Sequence, residues 1–276
     1  MARWICRNYL KGAILIEIVA GIALIPYLIQ QDMSFPYYLL TTAFCLMVAL
    51  APWVILMSVC TQKVNRTVVR SLDEDCDPDP LLDHSRQMLR QYDKKDRRRG
   101  AAVLFYRLNE ATALLCLGRF DEALDCMDRL EPKLPAKPTL ATLTYWNNRS
   151  ALCFDLGKRE EMAQDLDRTE QLLAQVHLSP SQRVMYQFSL RINRCTQRFL
   201  EDGPTEAAER EYQYLLDHAA NQRQRVSFHS ALGQCAMARG AFDEAREHLS
   251  FAVQHGGKLY TKRRAEELLG GLEAHR

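Results

Sequence analysis

The hexapeptide GRFDEA at residues 118–123 returns at 240–245 as GAFDEA, with only Arg119 replaced by Ala241. Both copies lie between apolar-periodic stretches. Repetition over tens of residues marks stacked supersecondary units, so this phrase constrains the fold more than any other feature of the chain. Two further glycines complete a series. Gly157, in DLGKREEM, and Gly203, in LEDGPTEAAE, also follow an apolar helical stretch and precede an acidic one, so the four glycines stand 39, 46 and 37 residues apart. Each suits a tight turn between antiparallel helices, where a residue without Cβ enters the left-handed region at no steric cost.

Columns that did not define this alignment agree with it. Seven residues before the glycines stand Ala111, Ser150, Thr196 and Gly233, all small. Five residues after come Ala123, Met162, Ala208 and Ala245, and nine after come Met127, Leu166, Tyr212 and Leu249, all large. Small residues where two helices cross, with a large knob one turn later, describe the packing of a helical hairpin. The copy SFHSALGQCAMARGAFDEAREHLSFAVQ (227–254) resembles the tetratricopeptide repeat, with Leu232, Gly233, Ala236, Gly240, Phe242, Ala245, Leu249 and Ala252 where that family expects them. The first copy keeps Ala111, Gly118, Phe120, Ala123 and Pro135, the second Trp146 and Gly157, the third Gly203, Ala208 and Tyr212. The resemblance spans roughly 101–257. It implies an all-α chain whose C-terminal part is a short α-solenoid of helical hairpins.

The departures from that family are local. Every interval exceeds its 34-residue period, and PKLPAKP (132–138) stretches the first connection with three prolines. In HLSPSQ (177–182), Ser179 reads as a helix cap, Pro180 as a first-turn residue and Gln182 as the closing member of a capping box, so the third repeat starts about two turns early. Glu110 and Arg149, eight residues before their glycines, are placed to pair between neighbouring repeats or to be half-exposed. Leu81, Leu82, Met88, Leu89 and Tyr92 define a lead-in helix, and LYTKRRAEELL (259–269) a polar-backed capping helix. The solenoid is therefore expected over 81–273.

The apolar residues, 47% of the 276-residue chain, are concentrated at its start. GAILIEIVAGIALIPYLIQ (12–30) and the run 37–61 are each long enough to cross about 30 Å of hydrocarbon. They predict a two-helix transmembrane hairpin over 1–61. Arg3, Arg7 and Lys11 precede it, Lys63, Arg66 and Arg70 follow it, and the turn at 31–36 carries only Asp32. That asymmetry places both termini in the cytoplasm of a cell-membrane protein and the turn outside. A cleaved leader is the competing reading, but LIQQDMS offers no small-x-small site. Glu17 invites a polar helix contact, or snorkelling beside the basic flank. Residues 62–80, with the acidic, proline-bearing SLDEDCDPDP, read as a juxtamembrane linker. Pro80 and Arg86 replace the glycine and glutamate that a calcium loop there would need. Lys94, Lys95, Arg97, Arg98 and Arg99 form a solvated flank or an anionic-lipid contact.

The nine cysteines show no Cys-x-x-Cys pair and fall in helical patterns, as for buried thiols in a reducing compartment. The sequence holds no His-Glu-x-x-His, no phosphate-cradling Gly-x-x-x-x-Gly-Lys and no Gly-x-Ser-x-Gly, so no enzyme, metal site or cofactor is expected. His229 and His248 read as helix-face residues. The resemblance implies that the first helix of each hairpin lines a concave groove. The groove-facing set includes Asn147, Phe154, Asn193, Gln197, Ser230 and Gln234, whose amides could pair with the backbone of a bound peptide without touching the hairpin core. The groove lacks a basic stripe with stacking aromatics, which argues against nucleic acid. The expected function is a membrane-anchored adaptor or scaffold that binds a protein or peptide partner. The alternative is a subunit of a membrane transport or secretion complex whose transmembrane hairpin makes the main contacts.

Overall fold

The computed structural model of the chain describes residues 12–16, 18–20, 22, 35–92, 100–131 and 134–274. All regular structure among them is helical. Two compact units are present, Met1–Val69 and Arg70–Arg276.

In the first unit, residues 12–16, 18–20 and 22 are helical, and a long helix α1 (Phe35–Asp73) follows and runs on into the second. At about 1.5 Å per residue its 39 residues reach about 58 Å. Among the described residues it is the one helix long and apolar enough to cross a membrane, over Leu39–Asp73, with none of its apolar window buried. The rest of the expected first span, Glu17 and the turn up to residue 34 lie outside the described residues, as do Lys94, Lys95, Arg97, Arg98 and Arg99. Gly12 sits against the indole of Trp53; a Cβ there would stand 2.3 Å from the ring.

The second unit is a run of hairpins. A lead-in helix α2 (Asp79–Tyr92) packs on α3 (Gly100–Cys116), which turns at Gly118 into α4 (Phe120–Asp128). The next pairs are α5 (Leu140–Asp155) with α6 (Arg159–Gln175), α7 (Pro180–Asp202) with α8 (Glu206–Asp217), and α9 (Gln222–Ala238) with α10 (Phe242–His255). The helix α11 (Tyr260–Ala274) closes the series against α10 and α9. The four turn glycines have φ of +71°, +68°, +76° and +79° at Gly118, Gly157, Gly203 and Gly240. That is the left-handed backbone which their spacing predicts.

The aligned columns are the hairpin cores. Ala111, Ser150 and Gly233 are buried on the first helices, and Ala123, Met162, Ala208, Ala245, Met127, Leu166, Tyr212 and Leu249 on the second. Between hairpins, Cys195, Tyr212, Leu215, Phe228 and Leu232 join α7, α8 and α9 in one cluster, and Leu143, Leu173, Val176 and Tyr186 join α5, α6 and α7. The capping box at Ser179 forms as read: Ser179 Oγ accepts from Gln182 N, and Gln182 Oε1 accepts from Ser179 N at 3.0 Å. It starts α7 early, so α7 has 23 residues where α3, α5 and α9 have 16 or 17. The eight cysteines among the described residues are free thiols.

Two expectations are corrected. Residues 62–80, read as a juxtamembrane linker, are folded: α1 continues to Asp73, and Cys76 in the turn after it is fully buried. Glu110 and Arg149 do not pair with each other. Glu110 is buried and receives Arg86 of α2 at 3.0 Å and Arg107 at 3.1 Å, whereas Arg149 reaches Asp165 of α6 at 2.6 Å. The Arg86–Glu110 and Arg149–Asp165 pairs each join a helix to its sequence neighbour, because those side chains lie over the crossing and not over the stack.

Gly233 provides a sharp check. A Cβ there would lie 2.7 Å from Cγ of the fully buried Leu249, while Gly270 on α11 has open space around it. Gly233→Ala is expected to lower stability by about 1–3 kcal/mol through overpacking. Gly270→Ala should be neutral or stabilising by up to about 1 kcal/mol from helix propensity. Equal thermal shifts for the two variants would refute this crossing.

Candidate partner-binding site

The ends of the solenoid meet, and this meeting builds the site. Lys258, just before α11, bonds Asp77 Oδ2 at 3.0 Å and Asp79 Oδ2 at 2.8 Å, and its backbone N–H donates to Cys76 O at 2.9 Å. The preceding residue has to be glycine: Gly257 has φ +51°, and a Cβ would stand 2.6 Å from Cys76 O. Asp73, at the end of α1, holds Arg223 of α9 at 2.9 Å. On the other side the Tyr260 ring meets Phe120 edge-on, and Arg263 donates to Leu117 O in the first hairpin's turn.

Inside this closure lies a cavity of about 260 Å³. Helix α5 contributes Phe154 and Asp155; α7 contributes Ile192, Asn193, Thr196 and Phe199; α9 contributes Arg223, Ser230 and Gln234; α11 contributes Tyr260, Thr261 and Arg264. Tyr212 and Phe228 add two more aromatic rings. Aromatic rings and hydroxyls therefore share the lining with two guanidinium groups and one carboxylate. Burial pushes the Asp155 carboxyl up from 3.8 to about 6, and the positive charge of Arg264 opposes that rise.

Of the groove residues named from sequence, Phe154, Asn193, Ser230 and Gln234 meet at this cavity. Asn147 and Gln197 do not. Asn147 is buried between α5 and α7, where its Oδ1 accepts from Ser189 Oγ at 3.0 Å and from Asn193 Nδ2 at 3.2 Å. Asn193 Nδ2 also reaches Asn147 O and Ser150 Oγ, each at 3.2 Å. The Asn147–Asn193 ladder expected to grip a peptide is thus a clasp between hairpins. The correction has a simple cause: donor-acceptor amides at equivalent places in stacked repeats satisfy one another first. Gln197 is bonded along α7, accepting from Arg194 at 3.1 Å and donating to Glu201 at 2.8 Å. His229 and His248 meet between α9 and α10 with Nδ1 atoms 2.8 Å apart, and burial with the neighbouring His248 holds His229 down at about 4.

Sequence reasoning missed Asp155, Arg223, Tyr260 and Arg264. Tyr260 and Arg264 belong to the helix read only as a cap, and Arg223 lies in the first turn of α9, outside the repeat columns. Asp155 did carry a signal. It is an acid in the last turn of a helix, where the macrodipole is negative and a base is the favourable choice.

The tetratricopeptide repeat family model matches residues 104–129 and 226–250, which lie in the α3–α4 and α9–α10 hairpins. Two of the four hairpins match the tetratricopeptide repeat. They are the two that carry GRFDEA and GAFDEA. No curated protein and no solved structure matches the chain. The other two pairs, α5–α6 and α7–α8, stack in the same way on a more divergent sequence.

Two outcomes follow from the site. Asn147→Ala with Asn193→Ala should lower unfolding stability by about 1–3 kcal/mol, since buried donors and acceptors lose their partners. Each single change should cost nearly as much as the pair, because the bonds are shared. Unchanged denaturation midpoints would contradict the clasp. Asp155 binds a proton in the folded chain up to about pH 6 but in the unfolded chain only up to about 3.8, so its contribution to stability falls as pH rises through that window. Asp155→Asn should therefore stabilise the fold by about 1–2 kcal/mol at pH 7.5, less than the full linkage value because the carboxyl faces a cavity. That gain should fade on approaching pH 4, as read by melting curves across the range.

Proposed function

We propose that this protein is a membrane-anchored adaptor: its N-terminal apolar segments hold it in a cell membrane, and its helical hairpins bind a partner protein in the cytoplasm. The observation that carries the reading is the stack of four hairpins, two of them matching the tetratricopeptide repeat, in which the first helices α5, α7 and α9 face a common cavity lined by rings, hydroxyls and amides. That repeat is in general a protein-binding module and not an enzymatic one. Inner-wall groups such as Gln234, Ser230 and Phe154 offer hydrogen bonds beside apolar surface, the mixture suited to recognising polypeptide.

The anchor is supported by exposed apolar residues. Leu39, Leu40, Phe44, Met47, Val48, Val54, Ile55 and Val59 on α1 are exposed, as are Ile14, Leu15, Ile18, Val19 and Ile22 in the first run. A contiguous apolar surface of this extent marks a membrane or protein contact. Gly12 against Trp53 suits two antiparallel spans. The basic flanks at both ends favour a hairpin with both termini cytoplasmic. Tethering then concentrates the bound partner at the membrane, where modest affinity suffices.

Photocrosslinking in intact cells tests the reading. A crosslinking residue in place of Gln234 should capture a defined partner, and one in place of the exposed Gln213 should not. In the same cells, Gln31→Cys should react with an impermeant maleimide from outside. Capture from position 213 alone would put the partner on another face. Loss of capture only when residues 1–61 are removed would instead favour a membrane complex held together by the hairpin.

A further inference from the structure

The cavity holds charge that the fold does not use. Asp155 and Arg264 take part in no hydrogen bond or ion pair among the described residues, although they line the same cavity and each lies within the other's field. Asp155 comes from the last turn of α5 and Arg264 from the second turn of α11, so the opposite charges sit on different walls, farther apart than an ion pair. Arg223 adds a second cation, fixed in place by Asp73.

Asp155 is unfavourably placed in three respects. Its carboxyl is withdrawn from bulk water, it stands at the negative end of a helix, and it lacks a partner. A ligand ammonium would relieve all three together, and the carbonyl end of α5 would add to its attraction. Arg264 and Arg223 would in turn receive a carboxylate, for which a guanidinium fork is the matched donor. Five rings line the same cavity, Phe154, Phe199, Tyr212, Phe228 and Tyr260. About 260 Å³ is below the roughly 300–1,000 Å³ typical of pockets for drug-sized ligands, and it suits a molecule of one or two residues.

We propose that the cavity binds a free amino acid with an apolar or aromatic side chain, its ammonium on Asp155, its carboxylate on Arg264 and Arg223, and its side chain among the rings. Such a ligand would touch α5, α7, α9 and α11 at once. It would therefore brace the closure of the solenoid from within. This inference goes beyond the adaptor reading and does not depend on it, because the site is complete without a protein partner.

The test uses the full chain in detergent micelles. The twenty amino acids are first screened singly at millimolar concentration for a rise in Tm, as expected of any ligand that prefers the folded state. The best binder is then titrated calorimetrically beside its two halves, the acid lacking the amine and the amine lacking the carboxylate. For phenylalanine these are 3-phenylpropanoate and phenethylamine. Each half should bind at least tenfold more weakly than the amino acid. Asp155→Asn should abolish the preference for the amino acid over the acid while keeping the chain folded, and Arg264→Gln, which leaves Arg223 in place, should reduce its preference over the amine. Gln197→Ala, outside the cavity, should change nothing. The proposal is overturned if no amino acid raises Tm, if either half binds as tightly as the whole, or if Asp155→Asn and Arg264→Gln bind it unchanged. Tighter binding of 3-phenylpropanoate than of phenylalanine would overturn it as well, and would identify a simple carboxylate site.

Discussion

Four left-handed glycines carry this structure. A chain that leaves one helix and enters its antiparallel neighbour within two or three residues has to pass through positive φ, and Gly118, Gly157, Gly203 and Gly240 do so at nearly the same angle. That reversal sets the register in which a small residue seven positions earlier faces a large one nine positions later. Gly233 packs against Leu249 in this way, leaving no room for a side chain. Once the hairpins are closed in this way, their first helices can only lie side by side, and an inner wall follows.

What that wall becomes depends on a second constraint, the meeting of the two ends. The turn after α1 is acidic and the segment before α11 is basic, so Lys258 finds Asp77 and Asp79 while Arg223 finds Asp73. The exposed lysine pairs are individually weak, as surface ion pairs are. Their geometry is nonetheless fixed by a backbone hydrogen bond to Cys76 and by a glycine that admits no side chain. An open groove is thereby turned into a partly enclosed cavity, where an unpaired carboxylate costs more and a bound ligand gains more than on an open surface.

The consequence for function is a division of the inner face. Amides in equivalent positions, Asn147 and Asn193, are consumed in holding hairpins together. Charged groups that enter from outside the repeat register, Asp155, Arg223 and Arg264, supply the electrostatic character of the cavity. Repetition thus builds the frame, and departures from repetition furnish the chemistry. The same logic explains why Glu110 and Arg149 pair inside their own neighbourhoods, since a charge that can reach a partner across a hairpin crossing has no reason to extend along the stack.

The sequence by itself determined the hairpins, because their signals are local: turn glycines, small and large columns, and a capping box at Ser179 act through residues within a single hairpin. It also marked the apolar segment over 1–61, since composition alone distinguishes such a stretch from a solvated helix. Tertiary structure decided which residues share the cavity. Asp155 and Arg264 are more than a hundred positions apart, Asp73 and Arg223 farther still, and no periodic pattern relates them. Their proximity arises only when small rotations between successive hairpins accumulate until α11 returns to the turn of the first. Whether an amide faces a ligand or a neighbouring amide was likewise set by the spacing of the stacked helices. Asn147 and Asn193 look identical in either role until that spacing places them 3.2 Å apart.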